Sequence, residues 1–142
     1  MTQSTGTRPR QFDRRVRVLI ADDHPVIRRM VRSVLQVHPN FEVCGEAMDG
    51  AQAVEEAKKL KPDVVVLNVT MPVLNGFEAA REIKAILPQS AIVILSQKAD
   101  LEFVEQAKKI GVRAYVAKSR AGEALVKAVE AAVMGEDFIL IE

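Results

Sequence analysis

The chain has 142 residues, 49% of them apolar and 27% charged, which suits one soluble domain with a substantial core. Its net charge of +1 is uneven: residues 1–17 carry Arg8, Arg10, Arg14, Arg15 and Arg17 against Asp13, which leaves the remainder at −3. No apolar run reaches bilayer-spanning length, no secretory signal pattern opens the chain, and the lone Cys44 excludes an internal disulfide framework, so a cytoplasmic protein without membrane contact is expected.

After the basic leader, two kinds of segment alternate. Val16–Ala21 is a short apolar run of the kind that forms a strand buried on both faces. Pro25 suits a first helical turn, and Val26, Ile27, Met30, Val31, Val34 and Leu35 recur with helical spacing until Pro39-Asn40 breaks the pattern. Phe41–Glu46 reads as a second strand with Cys44 as a small core residue, and Ala51–Leu60 as a second helix. Val64–Leu67 is the third strand, followed by a loop ending at the turn signal Asn75-Gly76. Phe77–Leu87 is the third helix, stopped by Pro88, and Ala91–Leu95 the fourth strand.

Asp100 can cap a helix over Leu101–Ile110, with Gly111 ending it in the left-handed conformation. Val112–Ala117 is the fifth strand, and Ser119 can cap a last helix running to about Met134. The expected organisation is a basic, flexible leader over residues 1–14, one domain over 15–136 and a tail over 137–142. Within the tail, Phe138–Ile141 reads as an extra edge segment, a dimer contact or a frayed end.

Alternating strands and helices call for a doubly wound α/β fold, a parallel sheet with helices on both faces. Ligands of such sheets sit beyond the carboxyl ends of the strands. The residues there are Asp22 and Asp23, Asn68, Ser96 and Lys118. Adjacent carboxylates beside further oxygen ligands suit a hard divalent cation such as Mg²⁺, although one of the pair can equally cap the first helix. Lys118 can pair with them or serve as a point charge for a phosphate. His24 reads as an exposed loop histidine rather than a ligand. No basic face rich in aromatics is present, so direct nucleic-acid binding is not expected.

The segment Asp63–Gly76, DVVVLNVTMPVLNG, resembles the phosphoacceptor segment of response-regulator receiver domains of the CheY-like kind. Asp22-Asp23, Ser96 and Tyr115-Val116-Ala117-Lys118 fall, in order, where that family places its acidic pair, hydroxyl, switch aromatic and lysine. ADDHP at Ala21–Pro25, Lys118-Ser119 and GEDFIL at Gly135–Leu140 are similar to receivers of the nitrate- and nitrogen-fixation-type (NarL/FixJ-type) regulators. The resemblance spans Val16 to Met134 and implies a five-stranded sheet of order 2-1-3-4-5 with five helices, and a non-enzymatic two-component module.

It implies Mg²⁺ held by Asp22, Asp23, residue 68 and the Thr70 backbone carbonyl. It also implies Ser96 and Lys118 on phosphoryl oxygens, with Ser96 and Tyr115 coupling occupancy to the surface of the fourth helix, fifth strand and fifth helix. The implied partners are a histidine kinase or another signalling protein. A homodimer would form through that same surface or through the first and fifth helices.

One position departs from the family pattern. The phosphoacceptor is an aspartate in this family, and the chain has Asn68. A carboxylate is charged and forms an acyl phosphate; an amide is neutral, with its nitrogen lone pair delocalised, and is no substitute nucleophile. Losing one carboxylate should weaken Mg²⁺ and ease repulsion in the metal-free site. Two origins stay open: a natural phosphorylation-independent receiver, or a normally phosphorylated one carrying an engineered Asp-to-Asn change. Deamidation of Asn68 should be slow before the β-branched Val69. A flavodoxin-like flavin carrier would share the sheet order, but Asp22-Asp23 would repel its phosphate.

Overall fold

A computed structural model of the chain describes residues 10–97 and 100–141. The strands are β1 (Val16–Ala21), β2 (Phe41–Ala47), β3 (Val64–Asn68), β4 (Ala91–Ser96), β5 (Ala114–Ala117) and β6 (Phe138–Leu140). Between them lie α1 (Pro25–Gln36), α2 (Gly50–Leu60), α3 (Gly76–Ile86), α4 (Leu101–Ile110) and α5 (Ala121–Val133). All strand pairs are parallel, and the sheet order is β2-β1-β3-β4-β5-β6.

The apolar runs sit in the middle of this sheet because each strand alternates its side chains between two covered faces. Leu19, Val65, Leu67, Ile92 and Ile94 pack with α2, α3 and α4 through Ala53, Ala57, Ala80, Ile83 and Val104. Val18, Ile20, Val64, Val66, Val93 and Leu95 pack on the other face with α1 and α5 through Leu35, Leu125, Ala128 and Val129. β3 is buried at every position.

Helix boundaries follow side-chain chemistry. Asp100 caps α4 by accepting from the backbone N–H groups of Glu102 and Phe103, and Gly111 ends it at φ 99°. Asn75 and Glu78 form a reciprocal capping box at α3. Asp49 caps α2 through the Gln52 N–H, and the helix begins at Gly50, one residue before the expected start. The expected Ser119 cap does not form. Lys118–Arg120 instead make a 3₁₀ turn, and α5 begins at Ala121 with no side-chain cap.

The sheet also has one strand more than expected. Gly135, at φ 75°, turns the chain after α5, and Phe138–Leu140 then adds in parallel beside β5, with Phe138 N–H donating to Arg113 O. Three residues carry too little periodicity to distinguish a strand from a frayed end. Cys44 is half-buried in the edge strand β2 rather than in the core. Of the expected leader, Met1–Pro9 lie outside the described residues. Arg10 donates its backbone N–H to Glu130 and its guanidinium to Glu136, and Arg14 pairs with Asp63.

Close approach fixes Gly76. A Cβ there would stand 2.1 Å from the backbone oxygen of Asn68, a contact that only a backbone shift relieves. Gly76→Ala should therefore destabilise the domain by roughly 1–3 kcal/mol, as other overpacked sites do. Urea unfolding checks this, and an unchanged midpoint would show that the Asn68–Gly76 loop yields freely.

Candidate functional site: an acidic pocket at the carboxyl edge of the sheet

The parallel sheet brings Asp22 and Asp23 (after β1), Asn68 (end of β3), Ser96 (end of β4) and Lys118 (after β5) to one edge. Asp22 is 2% exposed. Its loop is tied down from several sides: Asp22 N–H donates to Ala47 O, and His24 N–H donates to Asp22 Oδ1 at 2.9 Å. Arg28 on α1 donates to the Asp22 carbonyl at 2.7 Å and to Glu46 at 3.0 Å. Neither aspartate caps α1. His24 occupies the cap position without a side-chain hydrogen bond to the helix, and Pro25 fills the first turn.

His24 lies nearer the acidic pair than expected, its Nδ1 being 3.2 Å from Asp22 Oδ1 and 3.2 Å from Asp23 Oδ1, although its side chain is largely exposed. Lys118 Nζ stands 3.0 Å from Asp22 Oδ2 in a nearly buried ion pair. Oδ2 has no hydrogen-bond partner, and its contact with Lys118 is coulombic.

Asn68 is also buried. Its Nδ2 donates to the Thr70 carbonyl at 2.7 Å and to Asp23 Oδ1 at 3.3 Å. Both partners are acceptors only, which fixes the amide orientation. In this arrangement the Asn68 amide nitrogen donates to the oxygens around it. Val73 in the following loop has φ 70°, a strained conformation for a β-branched residue.

Ser96 and Tyr115 are each 1% exposed and are bonded to one another through their side chains. Burial pushes the Tyr115 phenol up, the Ser96 hydrogen bond opposes this, and the charge of Asp100 adds to it. Glu46 is pushed up by burial, but the hydrogen bonds and charges of Arg32 and Arg28 outweigh this and hold it below the ordinary glutamate value.

The response-regulator receiver domain model matches residues 18–130. The chain belongs to the response-regulator receiver family. It is 33% identical over 127 residues to the transcriptional regulatory protein DegU of Brevibacillus brevis, covering 89% of this chain and 54% of DegU. It is 40% identical over 115 residues to the chemotaxis protein CheY of Thermotoga maritima, covering 78% of this chain and 95% of CheY. Among solved structures, the receiver domain of NarL from Mycobacterium tuberculosis superposes with a TM-score of 0.81 at 33% identity, over 87% of this chain and 99% of that one. The chain thus spans about half the length of DegU and nearly all of CheY.

Receiver domains of the CheY and NarL kind are signalling modules rather than enzymes. They bind Mg²⁺ at an acidic pocket, which in this receiver is formed by Asp22, Asp23 and His24, with ligand atoms within 4.8 Å of one another. The carboxylate oxygens are of the type Mg²⁺ takes, and the buried Asp22 Oδ2 is without a hydrogen-bond donor, so the acidic pair fits the ion. Among the described residues no helix is long and apolar enough to cross a membrane.

Sequence reasoning missed Arg28. A helical arginine four residues after the loop carries no motif, and only the packing of α1 on β2 reveals it as the anchor of the Asp22 backbone.

Tyr115 is the chain's one tyrosine, so its ionisation is directly visible in ultraviolet difference absorbance. It should titrate above the usual value of about 10. Because its folded value is raised, its contribution to stability is full below the unfolded value and is lost as pH rises through the folded one. Titration at or below the ordinary value would contradict the buried Ser96–Tyr115 pairing.

Proposed function

We propose that this chain is a two-component signalling receiver that is not switched by aspartyl phosphorylation and acts in the cytoplasm through protein–protein contacts. The observation that carries this reading is the carboxamide of Asn68 at the end of β3, between Asp23 and Thr70, where the family pattern calls for a nucleophilic carboxylate. With no carboxylate at 68, no acyl phosphate forms there.

The surrounding residues keep the chemistry of a receiver. Asp22 and Asp23 are the metal carboxylates, with the Thr70 carbonyl beside them. Lys118, 3.0 Å from Asp22, neutralises part of their charge and is the cation aimed at a phosphoryl oxygen. Ser96 and Tyr115 link the pocket to the surface of α4, β5 and α5. Mg²⁺, when bound, supplies charge neutralisation for oxygens gathered in the pocket. Its affinity is lowered here because residue 68 contributes no charge. The partners are a histidine kinase or another signalling protein, or a second copy docking through α4-β5-α5 or through α1 and α5.

Incubation with acetyl phosphate and Mg²⁺ followed by intact-mass analysis tests this. The chain should remain unmodified, and Asn68→Asp should gain a hydrolysable phosphoryl group. Labelling of the unaltered chain at Ser96 or Thr70 would overturn the reading, as would an unlabelled but folded Asn68→Asp protein.

A further inference from the structure

Apart from Asp22 Oδ2, three oxygens of the acidic pocket already have polar partners within the protein. Asp23 Oδ1 has Asn68 Nδ2 at 3.3 Å and His24 Nδ1 at 3.2 Å. Asp22 Oδ1 receives the His24 N–H at 2.9 Å. The Thr70 carbonyl receives Asn68 Nδ2 at 2.7 Å. Asp23 and Thr70 lie on different loops, and the point on which their oxygens converge is the amide nitrogen of Asn68.

We propose that the Asn68 carboxamide is an internal substitute for the cation, its NH₂ group bridging the Asp23 carboxylate and the Thr70 carbonyl and so holding the two loops together without metal. The amide NH₂ group presents two partially positive hydrogens, enough to satisfy one oxygen from each loop. One of these bonds is to a carboxylate and is strengthened by its charge. A divalent cation entering the pocket must first break both.

This inference rests on the receiver reading of the pocket and goes beyond the loss of a charge. If charge alone sets affinity, Asn68→Ala binds Mg²⁺ no better than the unaltered chain, because neither residue is charged and alanine offers no ligand. If the amide competes with the ion, Asn68→Ala binds Mg²⁺ more tightly. The gain should be at least about tenfold, the scale of losing one charge-assisted hydrogen bond and one to a carbonyl.

Calorimetric titration with Mg²⁺ alone measures this for the unaltered chain, Asn68→Ala and Asn68→Asp. Asn68→Asp reports on charge and Asn68→Ala on the amide, so failure of this inference and failure of the receiver reading are distinguishable. Affinity for Asn68→Ala equal to or below that of the unaltered chain would overturn the proposal.

Should Asn68→Ala fail to fold, nitrogen-15 NMR of the unaltered chain decides. The Asn68 side-chain NH₂ signals should exchange slowly with solvent and stay in place on adding millimolar Mg²⁺. Fast exchange, or a shift that saturates with Mg²⁺, would defeat the bridging role.

Discussion

Helices cover both faces of β1, β3 and β4, and that covering governs where this molecule can do chemistry. Every position of β3 is buried, so a polar side chain has nowhere to go except the strand end. Parallel strands put all such ends on one side. Asp22, Asn68, Ser96 and Lys118 therefore meet there although they lie far apart in the chain. Once gathered, they must satisfy one another in a place where water is scarce. Asp22, at 2% exposure, does so through the His24 N–H on one oxygen and the charge of Lys118 on the other. Removing one partner of such a buried pair costs far more than the pair contributes, so Lys118 and Asp22 hold each other in place.

The amide at residue 68 enters this balance as a neutral group. A carboxylate there would add a third negative charge beside Asp22 and Asp23 and would need a cation to relieve it. The carboxamide turns a donor toward the same oxygens. The Asn68 amide thereby ties Asp23 to Thr70 by hydrogen bonds. The pairing of Ser96, at the end of β4, with Tyr115 in β5 is buried.

Much of this was legible in the sequence. Apolar runs such as VVVL and AIVIL are long enough to mark buried strands, and Pro25, Asp100 and Gly111 mark helix ends by local rules that tertiary packing did not override. The residues at the strand ends could be named because strand order confines ligands to that edge. Other features depend on geometry that pattern does not encode. β6 rests on a three-residue pairing with β5 and on Gly135. The approach of Arg28 to the Asp22 carbonyl arises from helix packing. His38, which stacks on Phe41 at 3.8 Å and meets Glu130 at 3.1 Å, has its partner 92 residues away. Above all, the sequence states that residue 68 is an amide but not which of its two polar atoms faces the acidic pair, and that choice separates a weak ligand from a bridging donor.

The claim that this receiver is closed to the phosphoryl switch is tested most directly by titrating the isotope-labelled chain with Mg²⁺ and beryllofluoride, which mimics a phosphoryl group on a receiver aspartate. Backbone resonances of Tyr115 and of α4 should not move at any concentration, because no carboxylate at residue 68 can hold the mimic. A saturable shift at Tyr115 in the unaltered chain would show that the pocket takes up a phosphoryl-like group despite Asn68, and would contradict the account.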